Sequence, residues 1–286
     1  MFLSSSTDYR EWRAAKLDMY PTGVDELVVN IGGLADLDHR ATTAIRASCK
    51  RANMAIYSCR DTVVDRAAIL AFAAHFGLRR IDHHLCAHDD GVAELTVASE
   101  GARSDYVPYS DRRLSWHTDG YYNEESSRVR AVILHCVQDA TAGGDTAALD
   151  PELVYIRLRD HDPAFITAFE HPECMTIPAN IEDGREVRPA VSGPVFAYDQ
   201  ACGALHMRYS ARKKNIRWRD DPTTTAAREF LSELLVHESS PVLRFCLQPG
   251  QGLISNNVLH NRTAFEDEPS RKRLLYRARF FDRINS

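Results

Sequence analysis

From about residue 115 the chain becomes a succession of short apolar runs broken by Gly, Pro, Asn and Asp, and this feature most narrows its possible folds. Arg130–Val137, Val195–Asp199, Ala204–Tyr209, Val242–Leu247, Gly252–Ser255 and Leu274–Phe281 each have the length and apolar content of a strand. Two helices interrupt them. One starts at Asp150-Pro151-Glu152, with Asp as N-cap and Pro at the first helical position. The other is expected over Thr225–Val236, capped by one of the preceding threonines. Before residue 115 strand and helix signals alternate. Glu26–Ile31 and Glu94–Ser99 read as strands, Asp38–Met54 and Asp61–Phe76 as helices, the second ended by Gly77. Many short strands with helices outside predict a mainly β chain with flanking helices (α+β), arranged as a jelly roll.

No repeat, low-complexity linker or composition break divides the 286 residues. The expectation is one domain over 1–286, with a mixed α/β part at 1–90. A jelly-roll core follows at 91–286, with helical insertions at about 150–171 and 223–237. A hydrophobic fraction of 44% supports a packed core. The net charge of −5 argues against a nucleic-acid binder, whose surface usually carries a basic excess. No run of about 18 apolar residues suggests a membrane span. The start, MFLSSSTDYREW, lacks the basic and apolar regions of a signal peptide. Seven scattered cysteines (Cys49, Cys59, Cys86, Cys136, Cys174, Cys202 and Cys246), with no C-x-x-C pair, read as reduced thiols in a cytoplasmic protein.

The chemistry centres on Ser115-Trp116-His117-Thr118-Asp119-Gly120-Tyr121-Tyr122-Asn123. On a strand, His117 and Asp119 at i and i+2 would face the same way. An imidazole and a carboxylate so placed are two-thirds of a facial triad. Alone the pair is a common chance match, equally readable as a surface His beside a helix-capping Asp. A third donor is offered by His260, at the end of the segment Gly250–Arg262, though a buried His bonded to backbone would look the same. Two His and one carboxylate suit octahedral Fe(II) with open positions. Zinc is the competing metal.

An anion site separates those options. Arg271, Arg273, Arg277 and Arg279 would share one face of a strand, with Leu274, Tyr276, Ala278 and Phe280 on the other. A guanidinium can clamp a carboxylate with two parallel hydrogen bonds. The arginine face lines either solvent or a polar barrel interior. Gly143-Gly144-Asp145-Thr146 reads as a hairpin turn with glycines at positive φ, and it could place the Thr146 hydroxyl beside the same carboxylate.

Taken together, WHTDGYYN, GGDT, PGQGLISNNVLHNR and RLLYRAR resemble the taurine/2-oxoglutarate dioxygenase family, which includes the carnitine-pathway hydroxylases. The resemblance covers roughly residues 70 to 283. It implies a double-stranded β-helix of cupin-like type and a requirement for Fe(II), 2-oxoglutarate and O2. It implies His117, Asp119 and His260 as iron ligands, and Arg273 with Thr146 at the distal carboxylate of 2-oxoglutarate. Arg277 matches a second arginine near the co-substrate or the anionic end of the substrate. His83 or His84 matches a substrate-contacting His of some relatives, although FGLRRIDHH is longer than the family spacing. Asn256-Asn257 stands where many relatives have Asp-Asn. Halogenating relatives replace the carboxylate ligand with a small residue, so Asp119 implies hydroxylation, desaturation or cyclisation.

For the substrate, Tyr121, Tyr122 and Asn123 are candidates for the pocket mouth, with core packing as the alternative for the tyrosines. The basic run His206–Lys214, with Arg208 and Arg212, is either a solvated face or a recruiter of anions. A small polar substrate bearing a carboxylate, sulfonate or phosphonate fits, as does an amino-acid derivative. A quaternary amine held by Tyr121 and Tyr122 is a further option. A homo-oligomer is compatible with the resemblance. The rival functions are a cupin-type metal-dependent hydrolase or isomerase, and a catalytically degenerate binding protein.

Overall fold

A computed structural model describes residues 6–35, 37–60, 64–98, 100, 106–182, 184–212, 214–237 and 240–284. The chain forms two compact units, one of Tyr20–Ser115, Val129–Ala148 and Leu243–Ser286, the other of Met1–Met19, Trp116–Arg128 and Leu149–Val242.

The first unit is built on a six-stranded sheet. Its strands run in the order Val28–Ile31, Met54–Cys59, Gln251–Ser255, Ala131–Gln138, Leu274–Phe280, Ala93–Leu95. Only the first pair is parallel, with Val28 opposite Ile56. Residue alternation sorts the side chains into two buried layers. Ala131, Ile133, Ala278 and Phe280 join Ile45, Ile69 and Phe72 of the helices His39–Ala52 and Arg66–Ala74. Val132, Leu134, Cys136 and Leu275 enter the opposite layer with Met54, Ile56 and Leu253. Arg277 and Arg279 share the parity of Leu275, so the arginine side of this strand faces an interior and not solvent; both are buried.

Local chemistry sets the helix ends. Asp38 accepts from Ala41 N–H at 2.7 Å and Asp65 from Ala68 N–H at 2.8 Å, capping the two helices. The helix expected from Asp61 therefore begins at Arg66; residues 61–63 lie outside the described set, as does Ser99 of the expected Glu94–Ser99 strand. The strand expected over Glu26–Ile31 begins only at Val28. Glu26 instead lies in a 3-10 turn over Val24–Leu27 and accepts from the Thr22 N–H and hydroxyl at 2.9 and 2.7 Å.

His135 is fully buried in this sheet, with Nδ1 3.2 Å from the Tyr57 hydroxyl. Tyr57 reaches it across Gly252, where a Cβ would strike the Tyr57 ring. Burial pushes the His135 pKa down to about 4. The unfolded chain then binds a proton that the folded one refuses. Stability is complete above about pH 6.5 and falls by roughly 3 kcal/mol as the pH drops towards 4. Urea unfolding between pH 4 and 7 should show this slope, and His135→Phe should flatten it; equal slopes in both proteins would remove the assignment.

In the second unit, three helices start at Asp-Pro: Pro151–His161, Pro163–Phe169 and Pro222–Leu234. Asp150, Asp162 and Asp221 cap them, accepting from Glu152, Ala164 and Thr224 N–H at 2.8, 2.8 and 2.9 Å. The helix expected over Thr225–Val236 thus starts earlier and is capped by Asp221, because Pro222 supplies a preset φ at the first helical position. The helix Ser6–Met19 delivers Lys16, 3% exposed, to Asp150 at 2.5 Å and Glu152 at 2.6 Å. Lys16→Ala would leave Asp150 buried without its cation. It should cost about 3–5 kcal/mol, read as a lower denaturant midpoint; an unchanged midpoint refutes the pairing.

Small sheets complete this unit: Val191–Gly193, Met175–Ile177 and Arg217–Trp218 in that order, and the pairs Phe196–Asp199 with Ala204–Met207 and Asn180–Glu182 with Arg185–Arg188. None of the seven cysteines is in a disulfide. Among the described residues no helix is long and apolar enough to cross a membrane.

Candidate active site

In the unit carrying Arg273, a small recess is lined by Asp139, Gly144, Thr146, Leu247, Arg273 and their neighbours. Thr146 opens the strand Thr146–Leu149 and is buried, opposite Phe245. Arg273 is 6% exposed, and its backbone N–H is anchored by Asp267 at 3.0 Å. Its guanidinium lies 5.0 Å from the centre of the Phe265 ring, whose surroundings also include the Arg262 guanidinium at 4.7 Å. Asp139 is the acid of the lining, and it is engaged by Arg271 at 2.5 Å. Among the described residues no carboxylate lies within ion-pairing distance of the Arg273 guanidinium. Burial accordingly holds its pKa below the ordinary arginine value.

Gly143 and Gly144 adopt φ of 71° and 79°. A Cβ on Gly144 would lie 3.3 Å from Arg273 Nε, and one on Gly143 would strike the Ala264 carbonyl. The turn is the glycine hairpin that the sequence suggests, and its second glycine also leaves room for the arginine. Sequence reasoning missed Phe265 and Leu247, since nothing in their local pattern sets them apart from core residues.

The four-arginine ladder does not form. The strand begins at Leu274, and its register shifts between Leu274 and Leu275, so Arg271 and Arg273 precede it. Each arginine has its own environment. Arg279 pairs with Asp82 at 2.5 Å, and Arg277 Nη2 lies 3.5 Å from His84 Nε2. His84 Nδ1 accepts from the Cys86 N–H at 3.3 Å. Of the two candidate histidines, His84 is half-buried near Arg277 and His83 is exposed.

His260 is buried in the strand Leu259–Arg262, with Nδ1 2.9 Å from the Val258 carbonyl. With that nitrogen protonated, the Nε2 lone pair is the one left for a metal. The corner before it rests on the two asparagines. Asn256 Nδ2 donates to Asn53 Oδ1 at 3.2 Å, its own Oδ1 accepts from Ile284 N–H at 3.1 Å, and Asn257 donates to the Val129 carbonyl at 2.7 Å with φ of 52°.

In the other unit, His117 ends the strand Leu114–His117 and Asp119 lies in the turn beyond it, both buried. The pair is therefore not carried on one strand face. Gly120, at φ 67°, turns the chain, and Asn123 N–H donates to the Gly120 carbonyl at 2.8 Å. Thr118 holds the start of the turn, since its N–H donates to the Tyr209 carbonyl at 3.0 Å and its hydroxyl accepts from Tyr209 N–H at 3.1 Å. Asn123 Nδ2 donates to the Ser127 carbonyl at 2.9 Å. Arg208, read from the sequence as part of a solvated face or a recruiter of anions, directs its donors to four backbone carbonyls, those of Tyr121, Met175, Gly193 and Val191. Arg212 Nη1 donates to the Tyr121 hydroxyl at 3.1 Å. Lys213 of the same basic run lies outside the described residues.

A family model described as "Taurine catabolism dioxygenase TauD, TfdA family" matches residues 54–279. The chain belongs to this family. It is an Fe(II)- and 2-oxoglutarate-dependent dioxygenase acting on a small molecule, with the double-stranded β-helix fold of its structural neighbours. Two uridine-5'-phosphate dioxygenases are each 29% identical to it. The one from an Amycolatopsis species aligns over 62% of this chain and 70% of its own length. The one from a Streptomyces species aligns over 73% and 77%. An asparagine oxygenase solved with Fe(II), hydroxyasparagine and succinate superposes with a TM-score of 0.56 at 17% identity, over 96% of this chain and 92% of its own. The family match sets aside the hydrolase, isomerase and degenerate-protein readings.

Among the described residues no three His, Cys, Asp or Glu side chains form a ready-made metal cluster. The fit to iron therefore rests on donor chemistry: buried imidazoles, one of them with its Nδ1 tied to a carbonyl, and a buried carboxylate are the set that ferrous iron takes.

Proposed function

We propose that this dioxygenase oxidises a 5'-phosphorylated nucleoside of the uridine-5'-phosphate class, with His117, Asp119 and His260 as iron ligands. The observation that carries the co-substrate assignment is the buried Arg273 guanidinium, which has no carboxylate within ion-pairing distance among the described residues. A desolvated cation of that kind is costly until an anion arrives. The distal carboxylate of 2-oxoglutarate is the anion in this reading, gripped by Arg273 and supported by the Thr146 hydroxyl. Bound iron and 2-oxoglutarate supply the oxidising chemistry, with release of succinate and CO2. The protein's residues orient the two organic reactants and exclude water.

The two relatives named for uridine-5'-phosphate support the substrate class. So does the pairing of Arg277 with His84. The Arg277 guanidinium lies 3.5 Å from His84 Nε2. A guanidinium so placed suits an oxygen of a phosphate. The retained carboxylate of Asp119 supports hydroxylation over halogenation. The whole chain is read as one catalytic domain in the cytoplasm, working on a free metabolite without nucleic-acid or membrane partners, and a homo-oligomer is compatible with that reading.

The test is O2-dependent succinate formation with Fe(II), 2-oxoglutarate and candidate substrates. Uridine 5'-phosphate should stimulate it, while uridine and taurine should not. Stimulation by taurine alone, or by no 5'-phosphorylated nucleoside, sinks the proposed substrate class.

A further inference from the structure

We propose that Tyr121 is the wall on which the planar base of the substrate stacks, and that Arg208 and Arg212 are positioning residues holding that wall beside His117. This rests on the nucleotide reading above. Tyr121 follows Asp119 by two positions, is half-buried, and is held at three points. Its carbonyl accepts from Arg208 Nε at 2.7 Å. Its hydroxyl accepts from Arg212 Nη1 at 3.1 Å. Its ring meets His117 edge-on, with centroids 6.4 Å apart at 82°, and Tyr122 at 5.3 Å and 79°. The Arg188 guanidinium lies 5.9 Å from the Tyr122 ring.

Arg208 is an expensive way to hold a loop. It is 8% exposed, and its remaining donors reach the carbonyls of Met175 at 2.8 Å, Val191 at 3.0 Å and Gly193 at 3.3 Å. Among the described residues no carboxylate lies within ion-pairing distance of it. A cation buried without a counter-charge weakens a core that a Met or Leu would fill. What the guanidinium adds is geometry: its planar donors tie the Tyr121 backbone to the strands Met175–Ile177 and Val191–Gly193 at once. The consequence is an aromatic ring of fixed orientation next to a proposed iron ligand. A sugar phosphate has no flat face to exploit such a ring. A pyrimidine does, and base–aromatic stacking is strong enough to change affinity about tenfold or more.

The experiment is calorimetric binding of uridine 5'-phosphate and of ribose 5-phosphate to protein loaded with Fe(II) and 2-oxoglutarate in the absence of O2. Tyr121→Leu should weaken uridine 5'-phosphate about tenfold or more and leave ribose 5-phosphate unchanged. Tyr121→Phe, which keeps the ring and loses only the Arg212 anchor, should weaken the nucleotide less than Tyr121→Leu does. Arg208→Met should weaken the nucleotide without changing the affinity for 2-oxoglutarate, and Arg208→Lys should restore part of the loss. If Tyr121→Leu binds the nucleotide as tightly as wild type, or loses both ligands equally, the stacking role is wrong while the substrate class stands. If wild type binds no uridine 5'-phosphate, the substrate class falls and the stacking role with it.

Discussion

Arg273→Met should raise the KM for 2-oxoglutarate by about 30-fold to several thousand-fold, because truncating one partner of a buried charge pair costs about 2–5 kcal/mol. The same substitution should leave the melting temperature unchanged or slightly higher. In the ligand-free protein the guanidinium is 6% exposed, lies over Phe265 and has no carboxylate within ion-pairing distance among the described residues, so an apolar side chain of similar length relieves a desolvated charge. A structural arginine behaves in the opposite way. Arg279, six residues further along and paired with the buried Asp82, is that case. Kinetics in 2-oxoglutarate and thermal unfolding of the apoprotein check both halves. A strongly destabilised Arg273→Met with an unaltered KM would identify Arg273 as a scaffold residue and would falsify the clamp.

Alanine at His117 or Asp119 should eliminate measurable succinate formation and most iron binding. Loss of a partner that merely orients a ligand already costs about 10- to 100-fold in metal affinity, so loss of a ligand costs more. Both side chains are buried and polar, so circular dichroism of the variants accompanies the assay. Asp119→Glu keeps a carboxylate on a longer stem and should retain some iron with poor turnover. Metal analysis of the purified variants and chromatography of succinate are the measurements. Full iron occupancy with normal succinate in either alanine variant would remove the ligand assignment.

Much of the fold is legible locally. Asp38, Asp65, Asp150, Asp162 and Asp221 cap their helices through contacts two or three residues away, and three of the five are followed by Pro. The departures from the expected strands have local causes, such as Thr22 engaging Glu26. The departure of Asp119 from the strand is another, since Gly120 bends the chain there. Asn256 and Asn257 could be flagged as unusual, but their partners Asn53, Ile284 and Val129 could not be named.

Sequence alone carried the resemblance to the family, through the order and spacing of WHTDGYYN, GGDT, LHNR and RLLYRAR, and with it the expectation of Fe(II) and 2-oxoglutarate that the family match bears out. The separate tasks of five similar arginines were decided only in three dimensions. Arg208 is taken up by four carbonyls, Arg271 by Asp139 and Arg279 by Asp82; Arg277 lies by His84, and Arg273 lines a recess with no carboxylate within ion-pairing distance among the described residues. A guanidinium looks the same at every position in a sequence. What it does depends on desolvation and on charges brought beside it from elsewhere in the chain, and only the folded backbone sets those distances.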